Sequence, residues 1–357
     1  TALKNQMPGS SPGMTECDER ASIPVMSTTS VPVIDIAPFL SGDAAAQAHV
    51  VDAVREACEG IGFFTITGHG VETEIIDDLR SAARGFFARP PDEKLTVRHA
   101  NPALPRGYRA IGDEGLAYGA GDETPPDLKE VFHMGPPDFP DEDYFTSEAA
   151  GAHFIENVYP DQPAGFRAAA SIYYRRLELL GQTIEEIFAR ALDLPPNFFR
   201  KYTDRQITAL RIIRYPPTQA APLPGQLRAG THTDYGTFTL LLSENRPGGL
   251  EVRTRAGDWI GVPTPADAFV VNIGDLLMRW TNDRFVSNPH RVAVPPEDAG
   301  DASDRLSVVF FHHPNYDAEI ACIETCTDAD NPPKYEPVFS GPYRVSMYTA
   351  TRLETED

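Results

Sequence analysis

Helix-like and strand-like hydrophobic patterns alternate in the N-terminal part of the chain. Apolar side chains recur at every third or fourth position, the spacing of one buried helix face, in residues 44–59, 72–88 and 163–191. Short runs of β-branched and aromatic residues at 31–36 and 62–67 are typical of strands. Residues 99–160 are rich in Gly, Pro and Asp with weak periodicity, so we expect long loops there.

After about residue 206 the pattern changes to short β-rich runs separated by turn residues. These runs are residues 207–215, 237–243, 249–253, 259–262, 268–273, 276–281, 290–294 and 306–312. Many short strands at this spacing are typical of a sandwich or a barrel. Helices followed by such strands predict an α+β chain with a double-stranded β-helix (jelly-roll) core and flanking N-terminal helices.

The same pattern divides the chain into three parts. Residues 1–29 carry Pro, Gly, Ser, Met and Thr without a period, so we expect a disordered leader that folding and activity do not need. Residues 30–205 are predicted to form a helical and strand region that packs on the barrel. Residues 206–350 are predicted to form the jelly-roll domain itself.

The amino-acid composition limits the kinds of molecule that the protein is expected to bind. The 357 residues include 31 Lys and Arg and 52 Asp and Glu, a formal net charge of −21. A field of this sign repels phosphate backbones and anionic lipid surfaces, so we expect neither a nucleic-acid nor a membrane partner. Four cysteines are too few for a disulfide scaffold, and neither a spanning segment nor a signal peptide is evident. We therefore expect a reducing, cytoplasmic environment.

The tripeptide His232-Thr233-Asp234 is the first candidate for chemistry. Residues two apart on a strand point to the same face, so this imidazole and carboxylate can converge on one ion. His290 begins a later strand-like run and, in a barrel, can face that pair across the interior. Two histidines and one carboxylate form the facial triad that binds Fe(II), although a catalytic zinc can use similar ligands.

Arg305 and Ser307 are candidates for binding a carboxylate. They share one face of the last long strand-like run, where the guanidinium can bind a carboxylate through two hydrogen bonds and the hydroxyl can add a third. An arginine that points inward is costly unless an anion pairs with it. The pair therefore indicates a small carboxylate ligand.

Together these motifs resemble the Fe(II)/2-oxoglutarate-dependent oxygenases of the isopenicillin N synthase-like group. The resemblance covers about residues 31–350 and rests on motifs in a fixed order: Gly62-Phe63-Phe64, Gly68-His69-Gly70, His232-Thr233-Asp234, His290-Arg291-Val292 and Arg305-x-Ser307. It implies a jelly-roll core with catalytic iron on His232, Asp234 and His290. It also implies that Arg305 and Ser307 hold the distal carboxylate of 2-oxoglutarate, with Fe(II) as cofactor and O2 as the other co-substrate.

A further stretch, Arg214-Tyr215-Pro216, resembles the Arg-aromatic-Pro version in the bacterial 2-oxoglutarate-dependent ethylene-forming enzyme. The resemblance implies an arginine near the keto-acid end of 2-oxoglutarate. Strand alternation puts Arg214 and Tyr215 on opposite faces, so both cannot point inward without a bulge or a strand end. Each is a candidate co-substrate-binding residue.

The sequence thus predicts a non-haem Fe(II) dioxygenase. It would couple oxidative decarboxylation of 2-oxoglutarate to succinate and CO2 with the O2-dependent oxidation, most simply hydroxylation, of a small organic substrate. The alternatives are an isopenicillin N synthase-like oxidase without 2-oxoglutarate, an ethylene-forming-type activity and a catalytically silent jelly-roll binding module. Residues 99–160 and the segment around 343–352 are expected to close the barrel mouth. Neither the identity of the substrate nor the oligomeric state follows from the sequence.

Overall fold

The computed structural model describes residues 30–101, 104–116, 125–151, 153–217 and 222–350, and the expected leader at 1–29 lies outside them. The helices in the described ranges are α1 (Ala37–Ser41), α2 (Ala44–Gly60), α3 (Thr73–Phe87), α4 (Pro91–Leu95), α5 (Asp143–Thr146), α6 (Phe166–Ala191), α7 (Arg200–Thr203), α8 (Asp275–Trp280) and α9 (Ser340–Ala350). The strands are β1 (Val33–Asp35), β2 (Phe63–Thr67), β3 (Gly107–Arg109), β4 (Glu130–Met134), β5 (Ala209–Tyr215), β6 (Ala229–His232), β7 (Phe238–Ser243), β8 (Leu250–Arg253), β9 (Trp259–Gly261), β10 (Phe269–Ile273), β11 (His290–Val292), β12 (Arg305–His312), β13 (Glu319–Ile320) and β14 (Val338–Phe339).

Two sheets form the jelly-roll core of this α+β fold. The main sheet has the strand order β1-β2-β10-β7-β12-β5-β4-β3, and the second sheet has the order β6-β11-β8-β9. One hydrophobic cluster joins their facing surfaces, with Ile213, Val270 and Val309 from the main sheet and Leu250 and Val292 from the second. The candidate site lies between these sheets.

Strand β12 shows why the main sheet is buried on both faces. Leu306, Val308 and Phe310 belong to the large cluster that includes the helices, whereas Val309 belongs to the cluster between the sheets. Because successive side chains of a strand alternate between faces, the odd-numbered residues, beginning with Arg305, point toward the second sheet. This alternation places Arg305 in the interior.

The long helices predicted from apolar spacing are confirmed. α2, α3 and α6 lie within a few residues of the predicted stretches, and α6 packs against both α2 and α3. Their buried residues, such as Val54, Leu79 and Leu177, complete the core on the outer face of the main sheet.

Two predictions about elements are wrong. Residues 276–281 were expected to form a strand, but α8 occupies Asp275–Trp280, because Leu276, Leu277 and Trp280 follow helical spacing and all three are buried. Within the expected loops of 99–160, β3 and β4 extend the main sheet. The N-terminal region therefore packs on the barrel and also contributes strands β1–β4 to its main sheet.

Among the residues that the structure describes, no helix combines the length and the apolar character needed to cross a bilayer.

Candidate metal and co-substrate site

The predicted metal ligands come together at one end of the second sheet. β6 ends at His232, Asp234 lies two residues further on, and β11 begins at His290. Nε2 of His232 lies 3.8 Å from Oδ1 of Asp234, and Nε2 of His290 lies 3.7 Å from the same oxygen. The two histidines are cross-strand partners, so the expectation that they face each other across the interior is wrong: β6 and β11 pair directly.

Hydrogen bonds to the backbone orient both imidazoles. Nδ1 of His232 lies 2.7 Å from the Gly230 carbonyl oxygen, and Nδ1 of His290 lies 3.1 Å from that of Asn288. A carbonyl oxygen can only accept, so each Nδ1 carries a proton, and in the neutral ring Nε2 is the nitrogen with the lone pair. Nε2 is the atom that each ring turns toward Asp234.

The two oxygens of Asp234 have different environments. Oδ2 accepts a hydrogen bond from Thr239 Oγ1 at 2.6 Å and another from Asn272 Nδ2 at 2.7 Å. Oδ1 remains available beside the two Nε2 atoms, and the ligand atoms of the three residues lie within 4.8 Å of one another. Two imidazole nitrogens and one carboxylate oxygen are the donor set of a facial Fe(II) site, so the residues present fit this metal.

The start of α8 holds the segments around these ligands in place. Its first residue, Asp275, donates its backbone N–H to the Asp234 carbonyl at 2.7 Å. The Asp275 carboxylate accepts hydrogen bonds from Thr233 at 2.9 Å and from Ser287 at 2.6 Å. One carboxylate thus connects the segment that carries His232 with the segment that leads to His290.

Burial and neighbouring groups put His232 and Asp234 in the protonation states that a metal requires. Burial lowers the pKa of His232, and the nearby His290 lowers it further, so the imidazole is neutral. Burial opposes ionisation of Asp234, but the two imidazoles and the hydrogen bonds from Asn272 and Thr239 give this carboxyl a lowered pKa. Neutral imidazoles and an ionised carboxylate can bind a divalent metal without first releasing a proton.

Arg305 and Ser307 line the same cavity from the main sheet. Arg305 is only 2% exposed, donates to the Gly248 carbonyl at 3.2 Å and lies over the Tyr215 ring at 4.6 Å. Its Nε has no hydrogen-bond partner, and no carboxylate of the described residues lies within ion-pair distance. Ser307 Oγ lies 3.0 Å from Ser243 Oγ. A buried guanidinium without a counterion is suited to a carboxylate ligand.

A second buried arginine, Arg228, lies beside this end of the cavity, and the sequence analysis missed it. It is fully buried, donates to the Pro216 carbonyl at 3.0 Å, and its guanidinium carbon is 5.9 Å from the Tyr215 ring centroid. Burial first, and then Arg305, lower its pKa to about 10. Strand parity does not indicate it, since a register shift interrupts the alternation of β6 ahead of His232.

Arg214 lies outside the cavity, which corrects its assignment as a candidate co-substrate residue. Its guanidinium is paired with Asp304 at 2.9 Å and with Glu130 at 3.2 Å. Ile213 and Tyr215, on either side of it, line the cavity. β5 continues without a bulge along this stretch, so alternation turns Arg214 to the opposite face.

The remaining cavity wall combines apolar and cationic side chains that the sequence analysis did not single out. They come from β4, β5, β7, β12, α9 and residues next to these strands, and include Lys129, His133, Arg211, Leu241, Val309, Phe311, His313 and Arg344. The expectation that the segment around 343–352 covers the barrel mouth agrees with α9, which supplies Arg344 to this wall. No local pattern marks Arg344, because only the tertiary fold brings α9 to the cavity.

Two family models match the chain. One, described as the N-terminal region of the non-haem dioxygenase in morphine synthesis, matches residues 31–161, and the model of the 2OG-Fe(II) oxygenase superfamily matches residues 206–314. A 2-oxoglutarate-Fe(II) type oxidoreductase of Emericella nidulans, hxnY, is 34% identical over 340 residues, which cover 93% of this chain and 94% of the relative. The clavatol oxidase claD of Penicillium crustosum is 33% identical over 329 residues, covering 87% of this chain and 94% of the relative.

The fold is similar to that of solved structures over most of the chain. A full-length protein of Neurospora crassa, crystallised with alpha-KG and thymine, has a TM-score of 0.78 and 30% identity, covering 90% of this chain and 97% of that one. A putative 2OG-Fe(II) oxygenase family protein from Caulobacter crescentus has a TM-score of 0.76 and 31% identity, covering 89% of this chain and 98% of that one. Both similarities span the helical region as well as the jelly roll.

Proposed function

The chain belongs to the Fe(II)/2-oxoglutarate-dependent oxygenases of the isopenicillin N synthase-like family, and on that premise we propose a role for each residue of its site. It is a non-haem dioxygenase that couples oxidative decarboxylation of 2-oxoglutarate, to succinate and CO2, with O2-dependent oxidation of a small organic substrate. Fe(II) is its cofactor, and 2-oxoglutarate and O2 are its co-substrates. Within this activity we propose that the substrate oxidation is a hydroxylation.

In this proposal His232, Asp234 and His290 hold the ferrous ion. The observation that supports it is that the three ligand atoms lie within 4.8 Å of one another. The other polar atoms of these side chains, both Nδ1 atoms and Oδ2, already have hydrogen-bond partners. Bound Fe(II) supplies the dioxygen and redox chemistry. The protein keeps the His232 imidazole neutral and fixes the free oxygen of the carboxylate.

Arg305 and Ser307 bind the distal carboxylate of 2-oxoglutarate, and Tyr215 supports the guanidinium. Support comes from the burial of Arg305, its lack of a described counterion and its position directly opposite Tyr215 in the β5–β12 register. The cross-strand pair Leu241 and Val309 lies between the Arg305 end of the cavity and Thr239, whose hydroxyl is next to Asp234. These apolar side chains exclude water along the path of the co-substrate.

The other sequence-based assignments stay predictions. They are the division of the chain at residues 29/30 and 205/206, the cytoplasmic location, and the lack of nucleic-acid and membrane partners. The small-molecule substrate agrees with the Neurospora crassa protein, which was crystallised with thymine. The alternative of an oxidase without 2-oxoglutarate has less support, since the relative hxnY is named a 2-oxoglutarate-Fe(II) type oxidoreductase and the Neurospora crassa protein was crystallised with alpha-KG.

The decisive experiment measures succinate release and metal binding together. Wild-type protein should convert 2-oxoglutarate to succinate only with Fe(II) and O2, whereas His232→Ala and Asp234→Ala should lose both Fe(II) binding and turnover. Circular dichroism shows whether the variants still fold. Iron binding that is unchanged in both folded variants would place the metal elsewhere.

Arg305→Gln tests the co-substrate end separately. Loss of charge-assisted hydrogen bonds should raise the 2-oxoglutarate concentration needed for half-maximal turnover by about tenfold or more, with Fe(II) binding unchanged. Exposed Arg175 on α6 offers a matched control, Arg175→Gln, which should change neither quantity. An unchanged requirement in Arg305→Gln would move 2-oxoglutarate to another site.

A further inference from the structure

The end of the cavity away from Arg305 has its own cationic lining. In the β5–β12 register Arg305 lies opposite Tyr215, while Phe311 lies opposite Ala209. The six residue steps from Arg305 to Phe311 correspond to about 20 Å of strand, so the two ends can hold separate ligands. Arg344, on α9, lines the cavity together with His313, which follows β12.

The cationic side chains that line the cavity differ in whether a carboxylate neutralises their charge. Arg211 forms an ion pair with Glu114, and Lys129 with Asp127 at 2.6 Å. Arg344 has no carboxylate within ion-pair distance among the described residues, and its guanidinium lies 3.2 Å from Nδ1 of His153. A half-buried guanidinium held by a neutral ring keeps its charge and its remaining donors for another partner.

A second arginine behind this wall increases the positive field. Arg106 is 1% exposed and donates to the backbone carbonyls of Pro105 at 2.8 Å and His153 at 2.7 Å. No described carboxylate neutralises it. Arg106 and Arg344 thus create a local positive potential in a chain whose net charge is −21.

The histidines of this wall are neutral hydrogen-bonding groups. Burial lowers the pKa of His133 and of His313 well below the ordinary value. Nearby charges, Arg211 first for His133 and Arg344 first for His313, lower both further. His133 Nε2 and His313 Nδ1 have no hydrogen-bond partner among the described residues. The imidazoles therefore add no charge, and the positive guanidinium of Arg344 favours a negatively charged ligand at this end.

We propose that the primary substrate is an organic carboxylate whose anionic group pairs with Arg344. Its body lies against apolar side chains of the same cavity wall, such as Leu116 and Phe311. One guanidinium offers two parallel donors, which match a single carboxylate. This inference rests on the proposed function, since it assigns the substrate of the same cavity.

The test measures binding, so that it does not depend on turnover. Calorimetric titrations compare three acids with their neutral amides: benzoate with benzamide, phenylacetate with phenylacetamide, and hexanoate with hexanamide. 2-Oxoglutarate is present at saturation to fill the Arg305 end. We expect at least one acid to bind about tenfold more tightly than its amide. Arg344→Gln should abolish this preference and Arg344→Lys should keep part of it, while Arg175→Gln should leave it unchanged.

Two results would overturn the proposal: no acid binds more tightly than its amide, or the preference survives in Arg344→Gln. A further arm uses Arg305→Gln without 2-oxoglutarate, where the preference should persist; its loss would mean that the acids bind at Arg305. Succinate release by the wild-type protein is measured separately. Its absence would contradict the proposed function, whereas the Arg344 titrations report on the substrate class alone.

Discussion

The two carboxylate oxygens of Asp234 contact different groups. Oδ2 accepts from Thr239 on β7 and Asn272 on β10, two neighbouring strands of the main sheet, and Oδ1 faces the Nε2 atoms of the second sheet. The orientation of the ligand therefore depends on residues that never touch the metal. Such outer partners fix the geometry and the charge state of a ligand.

Replacing Asn272 tests the contribution of these contacts. In Asn272→Ala, Oδ2 loses one of its two donors, so the carboxylate is less firmly held and its ionised form is less stabilised. We expect Fe(II) affinity to fall by about 10- to 100-fold. Anaerobic Fe(II) titration measures it, with exposed Asn197→Ala as the matched control. Unchanged affinity would show that Thr239 alone orients Asp234.

The residues of the site differ in how far the sequence could predict them. His232 and Asp234 are two apart, and Arg305 and Ser307 likewise, so strand alternation alone predicted that each pair shares a face. Arg344 could not be found in this way. Its importance depends on α9 packing over a cavity built from distant strands and on the lack of a described carboxylate beside it, and neither is a local property of the chain.

At the scale of elements, helix α6 contacts strand β12 through a buried acid. Glu185 of α6 lies 3.4 Å from Nε2 of His312 on β12, and Nδ1 of this histidine lies 2.7 Å from Thr237 Oγ1. Burial lowers the pKa of His312 to about 3, so the ring is neutral. Burial raises the pKa of Glu185 to about 7, with opposing contributions from Thr203 and Arg200. The contact therefore favours a protonated carboxyl.

This contact predicts how stability changes with pH. The pKa of Glu185 is higher in the folded chain than its ordinary value of 4.5, so its stabilising contribution is complete below pH 4.5 and is lost as the pH rises through about 7. Glu185→Gln cannot ionise. Its free energy of unfolding, relative to wild type, should therefore increase by about 2–3 kcal/mol between pH 5 and pH 8. Urea unfolding across this range measures it, and Glu186→Gln on the same helix is the control. A difference that does not vary with pH would show that Glu185 is ionised in the folded protein.

Helices and strands were predicted correctly where the hydrophobic pattern was long and incorrectly where it was short. α6 has 26 residues with a continuous apolar face, and its position was correct. α8 has only 6 residues, and a short apolar run does not distinguish a strand from a helix. β4 was missed because Pro- and Gly-rich segments surround its five buried residues, and its strand conformation depends on pairing with β5, which is more than 70 residues away.

At the scale of the whole molecule, the two sheets contribute different halves of the site. The second sheet carries His232 and His290, whereas the main sheet carries Arg305, Ser307 and the donors to Asp234. A cavity between two sheets can bind its ligands only when both sheets are folded and packed together. Ligands that bind only the folded chain shift the unfolding equilibrium by mass action.

The melting temperature should therefore show ligand binding to each half of the site separately. At a ligand concentration about 100 times its dissociation constant, each ligand adds about 2.7 kcal/mol to the free energy of unfolding. For a chain of this size that corresponds to a rise of about 3–5 °C. Mn(II) in place of Fe(II) should raise the melting temperature, and 2-oxoglutarate added to the Mn(II) form should raise it again.

Arg305→Gln should keep the Mn(II) increment and lose most of the 2-oxoglutarate increment, because only the main-sheet half has changed. Asp234→Ala should lose the Mn(II) increment, while Arg175→Gln should keep both. A 2-oxoglutarate increment that is as large in Arg305→Gln as in wild type would show that the main sheet does not bind the co-substrate through this arginine.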